Sequence, residues 1–253
     1  MILPQASAPI AATELPIPVA RWLEAAWADG QYAIETITLS GSLRIRRARI
    51  RMPGHATMRF QLGQAYVSDL RIGVGPLTAV RGLDTYVDGT GLTRVGREVS
   101  IGPEIDQGAF LALWAQSILF PSAWSALAGL RWTPVADCRA RVVLPFGRGR
   151  ETVTLSFDTD GPGYPTAFEA DRYRVVGGGR LGWRVDYADW HWRVGIAMPT
   201  RLVVTWADEP APWFEMRLDD VVVNEPIGEH LDRAREAVAA ARATGPGPGA
   251  TTG

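Results

Sequence analysis

Apolar and polar residues alternate most regularly between Gly182 and Asp208, in two separate segments. Successive side chains of a β-strand point to opposite faces, so strict alternation indicates a strand with one buried face. The alternating apolar positions, three in each segment, are Trp183, Val185, Tyr187, Leu202, Val204 and Trp206. We therefore predict two long antiparallel strands that present one aromatic-rich face to the same interior.

The same alternation recurs on both sides of the middle of the chain. Five segments between residues 32 and 100 show it, and six more follow residue 139, which predicts about eleven strands. In the last of them, Phe214, Met216, Leu218 and Asp220 share one face. No helix long enough to serve as a crossover separates the strands within either group, so we expect antiparallel pairing.

Helical periodicity replaces the alternation in three places. Near the start, the spacing of Val19 and Trp22 predicts a helix, and residues 227–243 predict another near the end. The third segment, residues 105–128, interrupts the strands, with Asp106 as its predicted N-cap. Because this segment falls between two groups of strands, we predict that it lies on the sheet as a helical cap.

Composition and charge exclude several classes of protein. The 253 residues carry a net charge of −1, which argues against a protein that holds nucleic acid through its phosphates. All 26 basic residues are Arg, which excludes lysine Schiff-base chemistry and a complete P-loop. Cys138 is the single cysteine, so no intrachain disulfide is expected. The start lacks a basic n-region and no long apolar run exists, so we expect a cytoplasmic protein without a stable membrane anchor.

The pattern predicts one domain over residues 15–243. Residues 1–14 are small and rich in Pro and Ala, which predicts a flexible arm. Residues 244–253 are rich in Gly and Pro, which predicts a disordered tail. Between them no stretch has the composition of a linker.

Several segments carry a resemblance to known proteins. About eleven antiparallel strands with helices inserted mid-chain resemble the half-barrel of bacterial lipoprotein carriers, the LolA/LprG-like fold. The sequence also resembles an uncharacterised, mostly actinobacterial family of unknown function, over about residues 15–225. The matching segments are LPIPVARWL at 15–23, DTYVDGTGL at 84–92, IDQGAFLALWAQSILFPSAW at 105–124, GLRWTP at 129–134, FEADRYR at 168–174 and DYADWHWRVGIAMPTRLVVTW at 186–206.

The resemblance implies a fold and a cavity rather than a reaction. The implied fold is α+β and mainly β: a curved antiparallel half-barrel of about eleven strands, with a helical cap around residues 105–128 and helices at both ends. The carriers are exported or lipid-anchored, whereas the start of this chain shows neither a signal nor a lipid-attachment cysteine. Gln116 stands where the middle helix of the family commonly has Glu. If that Glu acts as an acid or base in relatives, the same chemistry is not available at Gln116.

Aromatic and charged residues on the predicted inner faces and on the cap are candidates for binding a ligand. The aromatic rings either fill the core or line a cavity for a flat or acyl ligand. Arg172 and Asp220 share faces with apolar residues, and a buried charge is costly unless paired, so they either pair with each other or face a ligand carboxylate. The candidate ligand-binding residues are Tyr66, Trp114, Gln116, Trp124, Arg172, Trp183, Tyr187, Trp206 and Asp220.

Glu104, Asp106 and His191 are the candidate catalytic residues, and each has a structural alternative. Turn and N-cap positions account for the two acids, as they do for Asp84. A strand end accounts for His191, which lies between two tryptophans. The three histidines lack the spacing of metal ligands, so we predict no metal site and no cofactor.

Three functions fit these patterns. The first is binding of an apolar small molecule, such as an acyl chain or a polyketide-like compound, between the sheet and the cap. The second is a cofactor-independent isomerase or cyclase that uses the same cavity, because positioning alone can accelerate the folding of a substrate. The third is a structural or partner-binding domain with a filled core.

Overall fold

The structure is a computed structural model that describes residues 15–26, 34–47, 50–74, 77–126 and 129–244. The predicted arm over residues 1–14 lies outside the described residues. So does the predicted tail over 244–253, apart from Thr244, which ends the last helix.

The described residues form one antiparallel sheet of thirteen strands and four α-helices. The helices are α1 (Ile17–Ala25), α2 (Pro103–Gln116), α3 (Ser122–Ala126) and α4 (Gly228–Thr244), with a 3₁₀ turn at Ser117–Leu119. The strands are β1 (Thr36–Arg47), β2 (Ile50–Gln61), β3 (Ala65–Val74), β4 (Leu77–Val87), β5 (Thr90–Val95), β6 (Glu98–Ser100), β7 (Arg131–Ala136), β8 (Arg139–Phe146), β9 (Gly149–Phe157), β10 (Pro165–Tyr173), β11 (Arg180–Arg193), β12 (Ile196–Trp206) and β13 (Phe214–Val223).

The predicted fold class is confirmed, with a correction to the number of strands. The sheet is curved, antiparallel and unclosed, and the helical segment in the middle of the chain lies on its concave face. Strands β6 and β7 account for the difference from the expected eleven. β6 has three residues, too few to show alternation. β7 contains Pro134 and is exposed along nearly its whole length, so it has no apolar face to mark it.

The strand order is β6-β5-β4-β3-β2-β1-β13-β12-β11-β10-β9-β8-β7. In every neighbouring pair except one, the two strands follow each other along the described chain. The exception is the pair of β1 with β13, which runs from Ile37 opposite Val223 to Ile45 opposite Phe214. We call this pair the seam, because it joins the strands before α2 to the strands after it.

A β-bulge in the seam reverses the faces of β13. Ser40 lies opposite Asp220 and Gly41 lies opposite Leu218, so Asp219 is an extra residue on β13. The carboxylate of Asp219 accepts a hydrogen bond from the backbone N–H of Ser42 at 2.9 Å. Beyond the bulge the inward and outward positions exchange, and Asp220 is exposed. The prediction that Asp220 is buried beside Arg172 is therefore wrong.

The two long strands predicted between residues 182 and 208 are confirmed as β11 and β12. Their register places Trp183 opposite Trp206 and Tyr187 opposite Leu202. All four side chains are buried in the main core. Cross-strand aromatic and aliphatic pairs of this kind stabilise a sheet.

Helix α2 is buried on all sides because the concave face of the sheet wraps around it. Every residue from Gln107 to Ala115 is buried, which is typical of a helix inside a core. The helix begins at Pro103 after Gly102, so the prediction of Asp106 as the N-cap is wrong. The helical segment continues through the 3₁₀ turn and α3 as predicted, and residues 127–128 lie outside the described residues.

The helices at the two ends pack on different parts of the sheet. Helix α1 buries Trp22 in the main core. Helix α4 lies on the outer face of β3–β5, where Leu231 and Val238 pack in a second apolar cluster with Val67 and Leu83. Within the described part of the chain, no helix is both long and apolar enough to cross a bilayer.

Candidate ligand-binding site

A cavity of about 120 Å³ lies between the concave face of the sheet and the C-terminal half of α2. We call it the inner cavity. Apolar side chains from β1–β3, from β11–β13 and from α2 form most of its lining. Its polar lining residues are Ser68, Asp84, Gln116 and Arg172.

Arg172 brings a positive charge into this mostly apolar space. Its Nε donates a hydrogen bond to the backbone oxygen of Gly108 at 2.9 Å. Its guanidinium carbon lies 4.6 Å from the ring centroid of Trp183 and 5.6 Å from that of Trp206, within the range of cation–π attraction. Burial lowers the pKa of Arg172, while the charge of Asp84 acts in the opposite direction. A guanidinium keeps its proton in proteins, so Arg172 remains a cation at this half-buried position.

Asp84 forms the polar side of the inner cavity together with two hydroxyl groups. Its carboxylate accepts hydrogen bonds from the Tyr66 hydroxyl at 2.7 Å and from the Thr93 hydroxyl at 2.8 Å. Tyr66 is fully buried, and burial together with the charge of Asp84 raises its pKa well above the ordinary value. Each oxygen of the Asp84 carboxylate therefore already accepts one hydrogen bond from a hydroxyl group.

The C-terminal end of α2 supplies the remaining polar groups. The Tyr187 hydroxyl donates to the backbone oxygen of Ala115 at 2.6 Å, which fastens the helix to β11. The Gln116 amide nitrogen donates to the backbone oxygen of Ala112 at 3.1 Å. The side-chain oxygen of Gln116 is buried and has no hydrogen-bond partner in the part of the chain that is described. Gln116 is one of the residues that line the inner cavity.

The structure brings six of the nine predicted ligand-binding residues to the inner cavity or its immediate surroundings. Gln116, Arg172 and Trp183 line it. The other three contact lining residues: Tyr66 binds Asp84, Tyr187 binds Ala115, and the ring of Trp206 lies beside Arg172. Their role in binding stays a prediction.

Three predicted residues lie elsewhere. Trp114 and Trp124 are fully buried, with ring centroids 4.8 Å apart, in an aromatic cluster that includes Trp22. They fill the core, and the alternative that they line the inner cavity does not match their position. Asp220 is exposed on the outer face beyond the bulge, so it does not approach Arg172.

The three candidate catalytic residues also lie outside the lining. Glu104 accepts a hydrogen bond from the backbone N–H of Gly177 at 3.2 Å. Asp106 accepts one from the backbone N–H of Gly91 at 2.7 Å and so fastens α2 to β5. Burial raises the pKa of Asp106, although this hydrogen bond opposes the shift. His191 is exposed near the end of β11.

Asp84 is the residue that the sequence interpretation missed. It was expected in a turn or at an N-cap, but it lies on the inner face of β4. Its parity with Tyr86, which is buried, is a signal that could have found it. The signal is weak because Leu83 and Val87, on the opposite face of β4, are buried as well, under α4.

We expect the protein to lose stability as the pH rises from 10 to about 12. Burial, assisted by the charge of Asp106, raises the pKa of Tyr86 from 10.0 to about 12. A raised pKa in the folded state favours the protonated form, so its stabilising contribution is complete below pH 10 and is lost as the pH passes through the folded pKa. Urea denaturation across this range should therefore show a steeper loss for the wild type than for Tyr86→Phe. Equal slopes would mean that Tyr86 titrates as it does in the unfolded chain.

Fold and site together define a class of protein: a half-barrel sheet that wraps an apolar helix and keeps a small, mostly apolar cavity lined by one cationic and one acidic side chain. The chain belongs to the Family of unknown function (DUF6544), which matches residues 6–216. The resemblance to a family of unknown function is thereby confirmed.

Two solved structures have a similar course of the chain. A LolA superfamily protein from Nitrosomonas europaea shares 10% identity, with 85% of this chain and 95% of that chain covered and a TM-score of 0.49. A DUF1329 family protein from Desulfovibrio piger shares 10% identity, with 83% and 94% covered and a TM-score of 0.46. Identity and TM-score are low in both cases, so neither likeness bears on function. No curated protein matches the chain.

Proposed function

We propose that the protein binds an apolar small molecule with an acidic head group, such as a short acyl chain that ends in a carboxylate, in the inner cavity. The observation that carries the proposal is Arg172, a cation that lines a mostly apolar cavity. A ligand carboxylate beside its terminal nitrogens would relieve the cost of desolvation.

The surroundings of Arg172 favour recognition of a carboxylate. In the described part of the chain, its Nε bonds to Gly108, whereas its two terminal nitrogens have no hydrogen-bond acceptor. A guanidinium can bind a carboxylate with two parallel hydrogen bonds, which are strong when both partners are charged. The rings of Trp183 and Trp206 lie beside the guanidinium and limit its movement. The apolar part of the ligand would then lie against the side chains of β12 and β13.

The size of the inner cavity limits the ligand. Its volume of about 120 Å³ is below the roughly 300–1,000 Å³ of most pockets for small molecules. A short acyl group therefore suits the cavity as it stands, and a longer chain requires α2 to move away from the sheet. Such movement is opposed by the hydrogen bonds that Asp106, Gln107 and Tyr187 make between α2 and the sheet.

Octanoate and octanol are suitable probes, because they share an apolar chain and differ in charge. We expect octanoate to change the tryptophan fluorescence, since Trp183 lines the cavity. The variant Arg172→Met keeps an apolar side chain of similar reach but lacks the charge. It should weaken octanoate binding by at least about tenfold and change octanol binding by less than about twofold.

Arg44→Met is the matched control. Arg44 precedes the cavity residue Ile45 on β1 but is exposed on the opposite face, so its replacement should leave octanoate binding unchanged. Equal losses in Arg172→Met and Arg44→Met would point to a general charge effect and contradict the proposal. Failure of both probes to bind the wild type would instead favour the domain with a filled core.

A further inference from the structure

A second recess lies on the opposite side of the sheet from the inner cavity. Its floor is formed by outward-facing side chains of β2–β5, and one flank of α4 forms its wall. We call it the outer groove. Its volume of about 800 Å³ falls within the range of pockets that bind small molecules.

The outer groove is strongly basic in a chain whose net charge is −1. Its described lining contains five arginines and one acidic residue, Asp69, which leaves a surplus of four positive charges. The arginines are Arg59, Arg71, Arg81, Arg94 and Arg233. Concentration of one sign of charge in a recess raises the local concentration of ligands of the opposite sign.

Two of these arginines have partners within the protein. Arg59 pairs with Asp69 at 3.0 Å, and Nε of Arg233 donates to the backbone oxygen of Glu229 at 3.1 Å. Burial lowers the pKa of His230 on the wall, and the charges of Arg59 and Arg233 add to this effect, although Asp69 and Glu229 oppose it.

The other three arginines are exposed and have neither a hydrogen-bond acceptor nor an acidic partner among the described residues. Arg71 on β3 lies directly opposite Arg81 on β4. Like charges in directly opposed positions destabilise a sheet, so this pair is unfavourable in the protein alone. Arg94 on β5 lies opposite Leu83, two residues along β4 from Arg81 and on the same face. The three arginines therefore occupy neighbouring positions on one face of the sheet, and all three line the groove.

We propose that the outer groove binds a small organic molecule that carries two or more phosphoryl groups, with Arg71, Arg81 and Arg94 as its principal contacts. Two phosphoryl groups carry about three to four negative charges near neutral pH, which matches the surplus in the groove. The planar fork of arginine suits the oxygens of a phosphate. A discrete ligand fits better than a membrane surface, because the three arginines lie in a recess beside α4 rather than on a protruding face.

Inorganic pyrophosphate is the probe, and orthophosphate is its comparison. In calorimetric titrations of the full chain, pyrophosphate should bind at least about tenfold more tightly than orthophosphate. Arg71→Gln, Arg81→Gln and Arg94→Gln should each weaken pyrophosphate binding by about fivefold or more, and the triple variant should abolish it. Asp69→Asn should act in the opposite direction and tighten binding, because it removes the acidic residue from the lining.

Arg150→Gln is the matched control, since Arg150 is an exposed strand arginine outside the groove. Its pyrophosphate affinity should equal that of the wild type. The triple variant without ligand should unfold at the same or a higher temperature, because the repulsion between Arg71 and Arg81 is removed.

Three results would overturn the proposal. The first is no pyrophosphate binding by the wild type. The second is an equal loss in Arg150→Gln, which would indicate nonspecific attraction. The third is binding of phosphatidylglycerol vesicles or of an oligonucleotide, lost in the triple variant, while pyrophosphate does not bind. That result would make the groove a docking surface for a membrane or a nucleic acid.

Discussion

Replacement of Trp114 by alanine should lower the free energy of unfolding by about 3–5 kcal/mol. Trp114 is fully buried on α2, and its ring packs 4.8 Å from that of Trp124 and 6.3 Å from that of Phe110. Because the sheet surrounds α2, the residues around Trp114 can move only slightly into the void that the substitution creates. Most of the free-energy cost of that void should therefore remain. Urea denaturation followed by circular dichroism measures the loss.

Trp114→Phe is the matched variant, because it keeps an aromatic ring and removes the indole N–H. That N–H is buried without a hydrogen-bond partner in the described part of the chain, so its removal offsets part of the lost packing. We expect a loss of about 1–2 kcal/mol. Octanoate binding should persist in both variants under conditions where they are folded, since Trp114 does not line the inner cavity. If Trp114→Ala loses less than about 1 kcal/mol of stability and no longer binds octanoate, Trp114 contacts the ligand after all.

Gly41→Ala should destabilise the protein by about 3 kcal/mol or more. A Cβ at this position would collide with the backbone oxygen of Arg217 and would lie 2.9 Å from the terminal methyl of Met216. The oxygen belongs to β13, which is paired on both sides, so it has little room to move. The denaturant midpoint should fall, and the seam should be the part of the sheet that weakens.

Ser42→Ala serves as the control for Gly41→Ala. Ser42 is the next residue on β1, it is exposed, and its backbone N–H rather than its hydroxyl binds Asp219. Its replacement should change stability by less than about 0.5 kcal/mol. A loss below about 0.5 kcal/mol in Gly41→Ala as well would show that β1 tolerates the added methyl and that the collision is relieved by local adjustment.

Alternation identified the faces of the long strands because each has one apolar and one polar side. Trp183, Tyr187 and Trp206 were expected on the inner face, and they lie there. The same rule placed Arg172 inward, beside the aromatic rings that it contacts. In these strands the alternation in the sequence matches the alternation of side chains between the two faces of the sheet. Single residues of the candidate site could therefore be predicted.

The errors arose where one residue or a second layer disturbed that period. The extra residue Asp219 reversed the faces of β13, and alternation alone gives no indication of a bulge before Asp220. Helix α4 covers the outer face of β4, which makes both of its faces apolar and concealed the inward position of Asp84. An apolar residue such as Trp114 has the same sequence pattern whether it fills a core or lines a cavity. Which of the two it does depends on how far the sheet curves around α2.

The seam also determines the order in which the sheet can form. Consecutive strands within each group are joined by short connections, so their pairing requires only local chain closure. Pairing of β1 with β13 brings Ile37 beside Val223, and its entropic cost is larger because the loop between them is long. We expect the two groups to assemble separately and to join last, enclosing α2 between them. Because Asp84 comes from one group and Arg172 from the other, the inner cavity exists only after that final step of folding.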